Sequence, residues 1–303
     1  MTLLQNNFDQ FTLNGPYTYK NLSLFSIQSS QKEQNSYMCL GDENLKNFTV
    51  SEKQQAEVPY ILISNKNDFP VFILDGTLLD GCKQNRITDM SLMIPGNVEN
   101  FEIPVSCVER GRWHYKNDFN AFNTSKTMLY HKARFLKMKS VNENKKASQD
   151  TIWSSIDEKA SSLGSTSESA AMDGIYEKQQ EALEQFSKVF KLENKDLGLV
   201  YAINNQIVGV DLFCHHSILN FYFLSIIQSL ALDCIETEDT GLVPSKTEAV
   251  NFFKHVLMSN FEEWIVLDPS ALHKGESNIA NSNLLFFQNK FVHLTSFPKE
   301  LNY

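Results

Sequence analysis

The feature that most constrains the fold is a run of short apolar segments between positions 60 and 108. These segments cover 60–64, 70–74, 86–94 and 103–108, and turn residues such as Asp75-Gly76, Asp80-Gly81 and Pro95-Gly96 separate them. Turns at intervals of about ten residues are typical of antiparallel strands joined by short loops. This part of the chain is therefore predicted to form an antiparallel β unit.

The second half of the chain shows helical and strand patterns in turn. Apolar residues spaced by three and four over 149–191 predict two amphipathic helices. Two apolar runs, 197–202 and 207–213, flank Asn204-Asn205 and predict a hairpin. Segments 217–235 and 246–261 are predicted to be helices, the first of them buried, and 284–297 is predicted to form one or two closing strands.

These patterns predict an α+β fold, made mainly of antiparallel β-sheets in a sandwich-like arrangement. We expect an inserted helical hairpin and one buried helix in the C-terminal half. The 22 Phe and 10 Tyr favour sheet packing, because flat rings cover pleated surfaces well. No repeat and no sharp boundary is visible, so residues 1–303 are interpreted as a single integrated domain with a helical insertion at 149–193.

The charge pattern limits the classes of partner. A net charge of −9 disfavours general nucleic-acid binding, because an acidic chain repels phosphate backbones. The local exception is 126–148, interpreted as a basic connector with a solvated face. Its cations are Lys126, Lys132, Arg134, Lys137, Lys139, Lys145 and Lys146.

The remaining bulk features predict a cytoplasmic protein. The first ten residues lack a basic start and an apolar run, so no secretory signal is expected. Polar residues interrupt the most apolar segment, 218–232, which predicts no membrane span. Five scattered cysteines without a CxxC pair indicate reduced, buried thiols.

Polar residues with the chemistry of a binding site concentrate between positions 75 and 113. Gln84-Asn85-Arg86 follows a glycine turn, and Glu109-Arg110-Gly111-Arg112-Trp113 follows an apolar strand. If the strands that start at Arg86 and end at 108 pair antiparallel, Arg86 and Glu109 come towards the same end. Arginine forks match phosphate or carboxylate oxygens, and an indole ring can stack on a base. The cluster therefore predicts a site for an anionic or nucleotide-like ligand.

Two other interpretations of these residues stay open. Arg86 and Glu109 would also serve as a structural ion pair between two strands, with Trp113 in the core. Asp75, Asp80, Asp89 and Glu109 offer oxygen ligands for a divalent metal, although Asp-Gly pairs are common turn formers. The chain has no GxSxG, no phosphate-binding glycine loop and no GxGxxG, so the usual serine hydrolases, P-loop enzymes and Rossmann dehydrogenases lack support.

Two strings resemble the ARPP domain family, whose name refers to ADP-ribosylglycohydrolase and rhodanese–phosphatase proteins. They are Asp75-Gly-Thr-Leu-Leu-Asp-Gly-Cys-Lys-Gln-Asn-Arg86 and Ile103-Pro-Val-Ser-Cys-Val-Glu-Arg-Gly-Arg-Trp113, and the hairpin 198–213 adds to them. The resemblance covers about residues 15 to 297. It implies a setting in NAD-linked metabolism and is consistent with a role in antiviral defence. By similarity, the motif residues are Gln84, Asn85, Arg86, Glu109, Arg110, Arg112 and Trp113.

Three functions follow as hypotheses. The first is binding or processing of an ADP-ribose-like, NAD-derived nucleotide. In it Arg86, Arg110 and Arg112 hold phosphates, Trp113 stacks, and Gln84, Asn85 and Glu109 read hydroxyls of the sugar or base. The second is a hydrolase in which Glu109 is the general base, with or without a metal. The third is a non-enzymatic scaffold. No cofactor is required by the sequence, and a divalent metal and a homo-oligomer are both compatible with it.

Overall fold

A computed structural model describes residues 8–30, 36–115 and 121–302. Residues 1–7, on which the signal expectation partly rests, lie outside this description. Most strands of the described part pair antiparallel, and helices accompany the sheets, so the fold class is α+β as predicted. The chain forms two compact units, each assembled from non-contiguous segments. For that reason no single position in the sequence marks a boundary.

The first unit contains residues 1–36, 186–223 and 237–303. Its eight-stranded sheet has the order β1-β2-β12-β13-β17-β16-β15-β14. The strands are β1 (Phe11–Tyr19), β2 (Leu22–Ser29), β12 (Asp196–Ile203), β13 (Gln206–Phe213), β14 (Asn260–Leu267), β15 (Ser270–Glu276), β16 (Ala280–Phe287) and β17 (Lys290–Pro298).

One face of this sheet carries the apolar core of the first unit. Val200, Val210 and Leu294 pack there against Phe253 of helix α6 (Lys246–Leu257). The helix begins at a capping box between Ser245 and Glu248, which satisfies backbone donors at its first turn. The predicted hairpin forms with the two-residue turn Asn204-Asn205, because Ile203 pairs with Gln206.

The second unit contains residues 37–185 and 224–236. A six-stranded sheet has the order β11-β7-β8-β10-β5-β4, and a three-stranded sheet has the order β3-β6-β9. The strands are β3 (Met38–Cys39), β4 (Phe48–Ser51), β5 (Tyr60–Asn65), β6 (Val71–Ile73), β7 (Thr77–Gly81), β8 (Arg86–Thr88), β9 (Leu92–Ile94), β10 (Val98–Cys107) and β11 (Phe122–Met128).

The helices between β11 and β12 differ in number from the expectation. Segment 149–193 holds three helices instead of a hairpin of two: α2 (Gln149–Ser162), α3 (Asp173–Lys178) and α4 (Gln180–Val189). Ahead of them, residues 131–144 of the segment interpreted as a connector form helix α1 (His131–Asn144). Arg134 and Lys137 of α1 are fully buried, because both bind the Asp75 carboxylate.

The predicted apolar helix is α5 (His216–Glu236), which has 21 residues. By length and composition it could cross a membrane, but 72% of its most apolar window is buried in the structure. Burial of that extent is what a core helix of a globular protein shows.

Candidate functional site

The two motif strings meet because β8 and β10 pair antiparallel. Arg86 lies opposite Cys107, and Ile87 lies opposite Ser106. The Val108 amide then donates to the Asn85 carbonyl at 3.0 Å and extends this pairing beyond the strands. The antiparallel arrangement expected from the sequence is confirmed, and it brings the turn before β8 next to the loop after β10.

Glu109 and Arg112 form a buried ion pair inside this loop. Arg112 Nε donates to Glu109 Oε1 at 2.9 Å, and Nη2 donates to Oε2 at 2.6 Å. The same guanidinium donates to the backbone carbonyls of Cys82 at 2.5 Å, His114 at 2.9 Å and Gly81 at 3.3 Å. Every nitrogen of Arg112 is therefore engaged within the protein.

The Glu109 carboxylate is equally occupied. Besides Arg112, it accepts from the Asn85 amide at 3.0 Å and from Ser169 Oγ at 2.7 Å. Asn85 Oδ1 accepts from Arg112 Nη2 at 3.0 Å, and its Nδ2 donates to Asp173 at 3.2 Å. Burial raises the pKa of Glu109, but these hydrogen bonds outweigh burial and hold the pKa below its usual value. An ionised carboxylate with four donors is poorly suited to act as a general base.

Main-chain contacts tie this loop to the segment between α2 and α3. The Gly111 amide donates to the Ser169 carbonyl at 2.8 Å, and the Met172 amide donates to the Val108 carbonyl at 3.0 Å. A Cβ at Gly111 would stand 2.8 Å from Ser169 Cα, so this approach requires glycine.

Arg86 and Glu52 form a second buried pair with a different character. Arg86 has no exposed surface, and Glu52 is 3% exposed. Arg86 Nη1 donates to Gln84 Oε1 at 2.9 Å, while Nη2 stands 3.8 Å from Glu52 Oε1. Among the described residues, Arg86 Nε and Nη2 and both Glu52 oxygens make no hydrogen bond of ordinary geometry, although the Lys83 backbone N–H lies near enough to Glu52 to lower its pKa. Glu52, Gln84, Arg86 and Trp113 are called the Arg86 centre below.

Burial changes the pKa values of Glu52 and Arg86 more than the charge of either group changes the pKa of the other. Burial raises the pKa of Glu52, and the Arg86 charge, a hydrogen bond from the Lys83 backbone N–H and the Lys83 charge oppose this rise, in that order. Burial lowers the pKa of Arg86, and nearby Cys107 and Glu52 oppose this change. For both groups, the effect of lost water on the pKa therefore exceeds the opposing effect of the neighbouring charges and donors.

Trp113 lies over Arg86 at the surface. The Arg86 Cζ atom is 5.7 Å from the centroid of the indole ring, and Lys83 Nζ is 5.4 Å from it. Trp113 is 47% exposed, in contrast to the sealed pair beneath it. Tyr115 adds a second ring, 5.5 Å from Lys83 Nζ.

Residues 10–297 match the family ARPP-1, described as the ARG and Rhodanese-Phosphatase-superfamily-associated Protein domain. The chain belongs to the ARPP-1 family. No curated protein and no solved structure matches it. The match spans nearly the whole chain, so both units belong to the ARPP-1 domain, as the resemblance over residues 15–297 implied.

The seven motif residues of the ARPP-1 domain do not all converge. Arg110 points away from the Arg86 centre: its side chain is 49% exposed, it pairs with Asp157 at 2.9 Å, and it lies over Trp153. Arg86 and Glu109 do not pair with each other in the described structure: Arg86 pairs with Glu52, and Glu109 pairs with Arg112. Glu52 was missed, because it becomes a neighbour of Arg86 only through the strand order β4-β5-β10-β8.

The acids considered as metal ligands in the ARPP-1 domain bind other groups. Asp75 accepts from Arg134 Nη2 at 2.8 Å and from Lys137 Nζ at 3.2 Å. Asp89 accepts from Ser106 Oγ at 2.6 Å. With the Arg112 contact of Glu109, these hydrogen bonds give three of the four acids partners other than a metal ion.

Proposed function

We propose that the ARPP-1 domain binds an NAD-derived, ADP-ribose-like nucleotide at the Arg86 centre. The observation that carries this proposal is the set of unpartnered polar atoms on Arg86 and Glu52. Each buried polar group without a partner costs about 1–3 kcal/mol, and native proteins retain few of them. A ligand that supplies the missing hydrogen bonds would recover this free energy on binding.

The surroundings of the pair have the chemistry of a nucleotide site. The Trp113 ring offers a flat, half-exposed surface on which a base or a nicotinamide ring can stack. The Lys83 ammonium lies beside the same ring and can attract phosphates. The family name associates this domain with ADP-ribose-related proteins, which supports the choice of ligand class.

Entry to the pair requires Trp113 to move. The Arg86 side chain is sealed in this structure, and Trp113 stands over it. A shift of this half-exposed indole ring away from Arg86 sacrifices little core packing, and the ring of the ligand can then stack on the indole beside the guanidinium.

A thermal-shift titration with ADP-ribose and NAD tests the proposal. At a hundred times Kd, ligand should stabilise the wild-type protein by about 2.7 kcal/mol. Arg86→Met and Trp113→Ala should weaken this stabilisation strongly. Arg110→Met is the matched control, because this exposed arginine of the same motif pairs with Asp157. Wild-type protein that shows no shift with either nucleotide would contradict the proposal and favour the scaffold function.

A second candidate function, hydrolysis, is favoured by the state of Glu52. Both Glu52 oxygens are unpartnered and its pKa is raised, whereas Glu109 is saturated with donors. If the domain turns over NAD or ADP-ribose, Glu52→Gln should abolish product formation. Glu109→Gln should affect turnover only through stability. The opposite pattern, measured by product chromatography, would return the role to Glu109.

The cellular setting follows the same proposal. All five cysteines are buried thiols, which supports the cytoplasmic location expected from the sequence. A place in NAD-linked metabolism or antiviral defence depends on the ligand and is proposed with it.

A further inference from the structure

We propose that Arg86 and Glu52 together recognise an amide-type edge of the ligand, in which an N–H donor lies beside a C=O or ring-nitrogen acceptor. This inference rests on the proposed function and names the part of the nucleotide that enters the buried end of the site. Two ligand groups have this edge, the carboxamide of nicotinamide and the edge of a nucleobase.

The donors of Arg86 and the acceptors of Glu52 match the acceptor and the donor of such an edge. Arg86 offers unused donors at Nε and Nη2, because Gln84 occupies only Nη1. Glu52 offers two acceptor oxygens that make no hydrogen bond of ordinary geometry, with only the Lys83 backbone N–H nearby, and Oε1 stands 3.8 Å from Arg86 Nη2. Donor and acceptor thus lie side by side, too far apart to satisfy each other and close enough for one planar group to contact both.

The charges of the pair argue against a phosphate at this position. Glu52 would repel a phosphate held by Arg86, since both groups would lie within a few ångströms in a buried environment. A neutral amide edge instead donates to the carboxylate and accepts from the guanidinium without adding charge. Side chains read bases by the same logic, with arginine donating to ring acceptors and carboxylates accepting from amino groups.

The rings above the pair fit the same orientation. An amide edge belongs to a flat ring or lies in its plane, and the Trp113 indole is the flat surface next to Arg86. Lys83 is partly exposed and its Nζ lies 5.4 Å from the centroid of that indole, so the phosphates of a nucleotide could bind it while they remain in contact with water. The heterocycle is thus placed inside and the diphosphate outside.

Two pairs of ligands that differ in a single edge test this inference by competition against labelled NAD or ADP-ribose. Nicotinamide should compete at least about tenfold better than nicotinic acid, whose carboxylate lacks the N–H donor and is repelled by Glu52. In the base arm, purine riboside lacks the exocyclic amino group of adenosine and therefore has no N–H donor at that edge, so the wild-type protein should prefer adenosine by a similar factor. Discrimination in the first pair assigns the carboxamide, and discrimination in the second assigns the base.

A variant with nearly the same shape provides the second readout. Glu52→Gln gives the side chain its own N–H donors, so the preference for nicotinamide over nicotinic acid should shrink or reverse. Circular dichroism and the melting temperature establish that the variant is folded. If Glu52→Gln does not fold, the comparison of the ligand pairs on the wild-type protein still tests the inference.

The outcomes separate this inference from the proposed function. If ADP-ribose or NAD binds but neither pair is discriminated, or inorganic pyrophosphate competes as well as the nucleotide, the amide-edge inference is overturned and the proposed function stands. If nothing in the panel binds, both are overturned.

Discussion

Replacement of Arg112 by methionine should destabilise the second unit far more than replacement of Arg110. Arg112 is 7% exposed and donates to Glu109 and to three backbone carbonyls. Arg112→Met keeps much of the apolar stem but leaves the Glu109 carboxylate buried without its cation. Breaking a buried ion pair in this way costs about 3–5 kcal/mol. Arg110→Met removes an exposed pair with Asp157 and should cost less than about 1 kcal/mol.

Urea unfolding followed by tryptophan fluorescence measures this difference. The chain has three tryptophans, and Trp264→Phe leaves Trp113 and Trp153 as reporters in the unit that contains Arg112. In this background the midpoint should fall much further for Arg112→Met than for Arg110→Met. The double variant with Glu109→Leu should be more stable than the sum of the single effects predicts, by about 0.5–3 kcal/mol.

The reasoning fails if Arg112→Met costs no more than Arg110→Met, or if the effects of the Glu109 and Arg112 changes simply add. Either result would mean that the Arg112 donors are not committed to the fold. Arg112 would then be available to hold a phosphate, as the sequence first suggested.

Two further predictions concern the same unit. Burial raises the pKa of Asp89 to about 6 from 3.8, so its ionisation opposes folding and this contribution grows as pH rises from about 4 to 6. Asp89→Asn should therefore stabilise the protein by up to about 3 kcal/mol at pH 8 and flatten the pH profile of the urea midpoint, because Ser106 still has an oxygen to bind. An unchanged profile would show that Asp89 does not titrate in this range. Gly111→Ala should cost about 1–3 kcal/mol, since its Cβ would stand 2.8 Å from Ser169 Cα, whereas helical Gly174→Ala should be neutral or slightly stabilising in the same melting assay. Equal melting temperatures for the two alanine variants would argue against the close approach at Gly111.

Local chemistry in the sequence predicted the elements that depend on near neighbours. Asn204-Asn205 makes a two-residue turn with Asn204 at a φ of 50°, a conformation that asparagine tolerates well. The pairing of the strand at Arg86 with the strand ending at Cys107 also followed from turn spacing. Such features are determined within about twenty residues of chain.

These sequence patterns do not predict contacts between segments that lie far apart in the chain. The cations of 126–148 were interpreted as solvated, yet Arg134 and Lys137 are buried because Asp75 supplies a carboxylate from 59 and 62 residues away. The partner of Arg86 was missed for the same reason, since Glu52 reaches it only through two intervening strands. A charge pattern shows which residues can pair, but only the assembled sheet shows which do.

Backbone hydrogen bonds join residues 108–111 to residues 169–172. We therefore expect these two loops to unfold locally in a single step. The Gly111 and Met172 amides each donate to the opposite loop, so both are expected to exchange with solvent deuterium when the hydrogen bonds between the loops break. Their exchange should therefore follow a single opening event. A nucleotide that tightens the neighbouring turn at Asn85 would slow the exchange of both amides together, although they are far apart in the chain.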